Sequence, residues 1–206
     1  MKVILFNGSP NEKGCTYTAL RVVAKEIEKY GIETEIFQAG KTTKGCLGCK
    51  YCAKTGKCIT DDCVNDAIEK LEGADGFVFG SPVHYAAASG EMTSFLDRLF
   101  YAGGAKKLAH KPCAAVASAR RAGTTATLDQ LLKYPEIMQM PVVTSQYWNM
   151  VHGTNPDEVM HDEEGIQTMR TLGKNMAWLV KCIEAGKNAG IDIPETEVKI
   201  KTNYIR

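Results

Sequence analysis

The chain has 206 residues, 44% hydrophobic and 24% charged, with a formal net charge of +1. That is the balance of a folded globular protein, with enough chain for one core of ordinary size. The near-neutral charge and the lack of any basic block exclude nucleic acid and anionic membrane as principal partners. No apolar stretch approaches the length of a membrane span, and Val3–Phe6 is too short for a signal-peptide core, so the expected location is cytoplasmic.

In chain order, strands and helices alternate. Val3–Phe6 is a continuous apolar run, as in a strand buried on both faces. Tyr17–Tyr30 carries Leu20, Val23, Ile27 and Tyr30 at helical spacing and stops at Gly31. Glu33–Phe37 is a weaker strand nearer an edge. Asp62–Leu71 is a helix with Asp61 or Asp62 as N-cap. Gly76–Gly80 is a buried strand, Glu91–Tyr101 a helix, Cys113–Ala117 a fourth strand, Thr125–Lys133 a helix and Pro141–Ser145 a fifth strand. A long helix over Glu163–Ala185 follows, and Ile191–Arg206 alternates as an arm of strand character, with Val198, Ile200, Tyr204 and Ile205. This pattern predicts an α/β fold: a doubly wound, five-stranded parallel sheet with helices on both faces. Residues 1–190 form one domain, with a cysteine-rich insertion at 38–61, and 191–206 form the arm.

Ligands of such sheets bind beyond the carboxyl ends of the strands. Three loops fall there. Gly8-Ser9-Pro10-Asn11-Glu12-Lys13-Gly14-Cys15-Thr16 precedes the first helix, whose free N–H groups and positive dipole end suit a phosphate. It matches neither the Gly-x-Gly-x-x-Gly nor the P-loop pattern. Gly80-Ser81-Pro82-Val83-His84-Tyr85 leads through small residues into a helix, and His84 and Tyr85 can flank a planar ring. Ser118-Ala119-Arg120-Arg121-Ala122-Gly123-Thr124 joins two cations to a turn. No nucleophile–base constellation stands out, consistent with chemistry carried by a cofactor. Gln146–Gly153 sets Tyr147 and Trp148 where they would cover a ligand at the sheet edge, form a subunit contact or fill the sheet end.

The cysteines concentrate in the spacing C-x2-C-x2-C-x5-C, formed by Cys46, Cys49, Cys52 and Cys58. Four thiolates so close can wrap one metal centre. Lys44, Lys50, Lys54 and Lys57 should lower thiolate pKa. Cys63 at a helix start should favour its thiolate, while Cys113 and Cys182 read as core. Zinc, reduced thiols, redox-active thiols and a metal-free loop that shapes the neighbouring pocket all remain open for this segment.

The sequence Gly-Ser-Pro…Gly-x-Thr, then Asp75-Gly76…Gly80-Ser81-Pro82-Val83-x-Tyr85…Ser89-Gly90…Phe95-x-Asp97-Arg98, resembles the NADPH-dependent FMN reductase branch of the flavodoxin-like superfamily over nearly the whole chain. The resemblance implies that Ser9, Thr16 and backbone groups across Asn11, Gly14, Cys15 and Tyr17 hold the FMN phosphate. Pro82, Val83, His84 and Tyr85 would line the isoalloxazine, with Ser118, Arg120, Arg121 and Gly123 on its other side. Cys15 departs from the pattern, standing where many relatives have Asn or Ser. The cysteine spacing is similar to that of the iron–sulfur flavoproteins of the same family, which implies a [4Fe–4S] cluster on Cys46, Cys49, Cys52 and Cys58. The implied function is an FMN-dependent oxidoreductase moving electrons from NAD(P)H or ferredoxin to a small acceptor, in a homodimer or homotetramer. A non-catalytic flavin- or metal-binding redox sensor with reactive thiols is the alternative.

Overall fold

The computed structural model describes residues 1–39, 41 and 43–202. The elements are β1 (Lys2–Asn7), α1 (Cys15–Glu28), β2 (Glu33–Gln38), α2 (Tyr51–Thr55), α3 (Cys63–Lys70), β3 (Gly76–His84), β4 (Ala87–Ala88), α4 (Gly90–Leu108), β5 (Cys113–Ala119), α5 (Thr124–Ile137), β6 (Met150–His152), α6 (Pro156–His161) and α7 (Glu163–Asn188). The sheet order is β2-β1-β3-β5-β6. Every pair along that path is parallel, and β4 returns antiparallel onto the end of β3.

Residue alternation explains why helices cover both faces. Ile4 and Phe6 of β1, Phe77 and Phe79 of β3, and Cys113, Ala115 and Ala117 of β5 point into one core with α3, α4 and α5. Val3, Leu5, Val78, Ala114 and Val116 point the other way, against α1 and α7. The first core is aromatic at its centre, where Phe6 stacks on Phe79 at 5.7 Å and meets Phe95 at 5.3 Å. From β1 the winding runs outward to β2 and then turns back to β3. The resulting switch point opens a crevice at the carboxyl ends of β1 and β3.

The predicted fifth strand is displaced. Pro141–Ser145 contributes only a bridge between Val142 and Cys113, and regular pairing with β5 resumes at Met150–His152. Between these two contacts the edge makes an excursion, held by the Ser145 hydroxyl on the Asn149 side-chain oxygen (2.7 Å) and by Asn175 of α7 donating to the Thr144 carbonyl (2.7 Å). An edge position tolerates this, because no further strand needs the interrupted ladder. Three further expectations are corrected. Cys182 is exposed rather than core. Residues 191–202 carry no strand, and Tyr204 and Ile205 lie outside the described residues. The helix expected to end at Tyr101 continues to Leu108 through a kink at Gly104 (φ 58°).

Gly8 marks the closest approach of loop to helix. A Cβ there would lie 2.6 Å from Met92 Cβ, and the Gly8 amide donates to the Gly80 carbonyl at 2.8 Å. Gly8→Ala should therefore cost about 1–3 kcal/mol as an overpacking substitution. Urea denaturation would check this, and an unchanged midpoint would refute the packing account.

Candidate functional site

Three polar side chains, all fully buried, fix the crevice. Ser89 donates its hydroxyl to the Gly8 carbonyl (2.7 Å), the Ser89 amide donates to the Ser81 hydroxyl (2.9 Å), and Asn7 donates to the Gln38 side-chain oxygen (2.8 Å). Asn7 also accepts from the Ser9 amide (3.2 Å), and Gln38 donates to the Ser9 carbonyl (2.6 Å). Buried polar groups satisfied in this way hold a loop to one path.

On that frame Ser9, Asn11, Cys15, Thr16, Pro82, Val83, His84, Ser118 and Arg120 converge on one cavity of about 470 Å³, part of it open to solvent, joined by Ala119 and Gly153. At its floor the Thr16 and Ser118 hydroxyls meet at 2.7 Å, both buried. Helices α3, α6 and α7 are capped by the side chains of Asp62, Asn155 and Asp162. Two of the helices that start at this edge differ: α1 at Gly14 and α5 at Gly123 have no side-chain cap and no acid in the first turn. Their leading N–H groups and dipole ends are left for an anion.

Cys15 donates its thiol to the Gly153 carbonyl at 3.6 Å, and burial pushes that thiol above its ordinary value, so it stays protonated beside the cavity. Gly14 shapes the helix start, since a Cβ there would sit 2.9 Å from Asn11 Cβ. Tyr17, Arg121 and Gly123 lie beside the cavity rather than on its wall, and Tyr85 is fully exposed at the tip of the β3–β4 hairpin. Tyr85 (φ 50°) and Ala86 (φ 59°) both occupy the left-handed region, where neither side chain is at ease. That tip rests on Gly123, whose added Cβ would fall 2.7 Å from Ala86 Cα. Strain of this kind persists where the surroundings overdetermine it, commonly at ligand sites. Gly153, the last residue of the Gln146–Gly153 segment expected to cover a ligand, contact a subunit or fill the sheet end, reaches the cavity through the displaced edge strand. A larger hollow lined by Leu179, Ile183 and Ile191 opens beneath the carboxyl half of α7, away from these convergent polar groups.

The cysteine segment forms a second centre. Cys46, Cys49, Cys52 and Cys58 line one small cavity with Arg98 and Tyr101. Burial pushes the Cys52 thiol up, and the neighbouring charges of Cys58, Cys46 and Cys49 push it further. The largest influences on Cys52 include no lysine, and Lys57 is turned into an ion pair with Glu69 at 2.7 Å. Cys63 is likewise corrected: burial raises its thiol, which donates to the Ala39 carbonyl at 3.5 Å instead of facing the cavity. Among the described residues no three His, Cys, Asp or Glu side chains are placed to hold a single metal ion. A tetrahedral zinc would draw its sulfurs to about 3.8 Å apart, given the Zn–S length.

Cys58 is the best-anchored of the four. Asn65 accepts from its amide (2.8 Å) and donates to its carbonyl (3.1 Å), and Arg98 donates to its sulfur (3.2 Å). Arg98 also pairs bidentately with Asp62 at 2.7 and 2.8 Å. In sequence Arg98 reads only as part of a family pattern, since nothing local indicates that an arginine in a helix turns inward to a distant loop.

The parallel order and the crevice at the carboxyl edge are those of a flavodoxin-like fold. Solved structures agree on the fold: RosB with 8-demethyl-8-formylriboflavin-5'-phosphate bound superposes with a TM-score of 0.68 at 16% identity, over 100% of this chain and 94% of that one. A flavodoxin from the domain Archaea gives 0.62 at 16%, over 88% and 99%. The chain belongs to the NADPH-dependent FMN reductase family, whose profile matches residues 1–155. Among its relatives, an iron-sulfur flavoprotein of Methanocaldococcus jannaschii is 34% identical over 192 residues, covering 89% of this chain and 100% of the relative. An iron-sulfur flavoprotein of Archaeoglobus fulgidus is 30% identical over 202 residues, covering 91% and 98%. Among the described residues no helix is long and apolar enough to cross a membrane.

The Arg98–Asp62 pair has a pH signature. Burial raises the Asp62 carboxyl, but the Arg98 guanidinium and the Val64 amide outweigh it and hold the group below its ordinary value. A depressed carboxyl contributes stability above its unfolded pKa of about 3.9 and loses it as pH falls through the folded value. The stability gap between the natural chain and Asp62→Asn should therefore be level above about pH 5 and close below about pH 4. Denaturation midpoints across that range would show it, and a gap unchanged down to pH 3 would contradict it.

Proposed function

We propose that the cavity at the carboxyl ends of β1, β3 and β5 seats FMN, with its phosphate at the start of α1. We propose further that Cys46, Cys49, Cys52 and Cys58 hold a [4Fe–4S] cluster. On this reading the chain passes electrons from NAD(P)H or ferredoxin to a small acceptor. The observation that carries it is the uncapped α1 terminus beside the buried hydroxyl pair of Thr16 and Ser118. An anion there meets amides, a dipole end and hydroxyls without any carboxylate in the first turn. Bound FMN would supply hydride and electron transfer.

The protein's own contribution is placement. Ser9 and Asn11 shape the loop, through the Asn11 amide donating to the Ser9 hydroxyl at 3.1 Å. Pro82, Val83 and His84 wall one side of the cavity, and Tyr85 stands at the hairpin tip where it can close over a ring. Arg120 borders the other side and offers a cation to an anionic cofactor or donor. The four thiols fit a group wider than one ion, because they share a cavity without converging on a point. The names of the iron-sulfur relatives support the same assignment. Leu47, Tyr51, Ile59 and Tyr101 are exposed around this centre, an apolar rim suited to a subunit contact in a homodimer or homotetramer.

Two outcomes are expected. Thr16→Val with Ser118→Ala should weaken FMN binding about tenfold or more, since the hydroxyl pair, with one proton shared between them, keeps one O–H to donate to a charged group and the substitutions remove it. Flavin titration of the apoprotein measures this, and unchanged affinity would place the phosphate elsewhere. Anaerobically prepared protein should show flavin bands with about four iron and four sulfide per chain, whereas flavin without iron would overturn the cluster.

A further inference from the structure

We propose that Arg98 is a positioning residue that sets the reduction potential of the cysteine centre through Cys58, an inference that rests on the cluster assignment above. The Arg98 side chain is 1% exposed, so its charge must be met by protein. A guanidinium has five N–H donors, and each finds an acceptor. Nε donates to Cys58 Sγ at 3.2 Å, one Nη to the Lys44 carbonyl (3.2 Å) and Asp62 (2.7 Å), and the other Nη to the Thr60 carbonyl (3.0 Å) and Asp62 (2.8 Å). Asp62 neutralises the cation and Asn65 already fixes the Cys58 backbone. Holding the loop therefore does not require the fifth donor, which is spent on a sulfur. Among the described residues Cys58 alone of the four thiols receives a guanidinium N–H.

That donor acts on redox balance. One-electron reduction of a thiolate-bound cluster, with the electron taken from an external reductant, adds one negative charge shared with its sulfur ligands. A hydrogen bond to such a sulfur favours the more negative state and raises the potential. Lysine cannot reproduce the planar fork that spans Asp62 and Cys58 at once. Arg98→Lys should therefore lower the cluster midpoint potential. Asp62→Asn keeps an effective N-cap for α3 and leaves the donor in place, but removes the neutralising carboxylate, so it should raise the potential.

The test is an anaerobic redox titration of the reconstituted natural chain and both variants, following the cluster by electron paramagnetic resonance. Shifts of opposite sign are expected, down for Arg98→Lys and up for Asp62→Asn. A purely structural Arg98 would give no such pair, so unchanged potentials or shifts of the same sign overturn the proposal while leaving the cluster assignment intact. If Arg98→Lys does not fold, Arg98→Met combined with Asp62→Asn, which removes the N–H donor while leaving the net charge of the pair at zero, decides: a lowered potential supports the proposal, and no change or a rise overturns it. A natural chain that assembles no cluster overturns both the assignment and this inference.

Discussion

Ser89 donates its buried hydroxyl to the carbonyl of Gly8, and much of the molecule hangs on that contact. It ties the loop after β1 to the turn that starts α4, while the Ser89 amide returns to Ser81 on β3. Parallel pairing alone aligns the strands, but it leaves their carboxyl ends as free loops. Completing the hydrogen bonds of Asn7, Ser81 and Ser89 in a dry environment converts those loops into a fixed cradle, since any departure would strand a buried polar group. The uncapped start of α1 is then held facing the end of β5, where Thr16 meets Ser118.

The same helix that begins at this lock also governs the cysteine segment. Between Ser89 and Arg98 the chain advances about 13 Å along α4 at the usual helical rise. Its first turn closes on the Ser89 hydroxyl at the carboxyl-edge crevice, and Arg98 grips Cys58, Asp62 and the carbonyls of Lys44 and Thr60. A long polar insertion is thereby joined to the core through one buried cation and Asn65, while Cys46 and Cys49 ride on its exposed part. One helix thus contacts both the carboxyl-edge crevice and the cysteine segment.

The parts legible in sequence were those with a strong period or a local chemical reason. Val3–Phe6, Gly76–Gly80 and Cys113–Ala117 read as buried strands because both faces are covered, and the cap was legible as Asp61 or Asp62 because the side chain of Asp62 serves its own helix. The three cavity loops were legible because each follows such a strand. What failed depended on distant contacts. The edge strand broke at Thr144–Asn149, where α7 side chains supply hydrogen bonds that no local pattern announces. Burial overrode the helix-dipole expectation for Cys63, and Glu69 drew Lys57 away from the thiols. Cys182 shared an apparent apolar face with Leu179 and Ile183 yet stands beyond the packed stripe of α7. Arg98 was visible only as a letter in a motif, because its role arises from residues far off in sequence.

A crystal structure of the FMN-loaded protein tests the central claim most directly. The account predicts the phosphate at the start of α1, within hydrogen-bond reach of the Thr16 hydroxyl and the first amides of the helix, with the ring between the β3–β4 hairpin and Arg120. A phosphate seated at the start of α5, or in the hollow beneath α7, would contradict it.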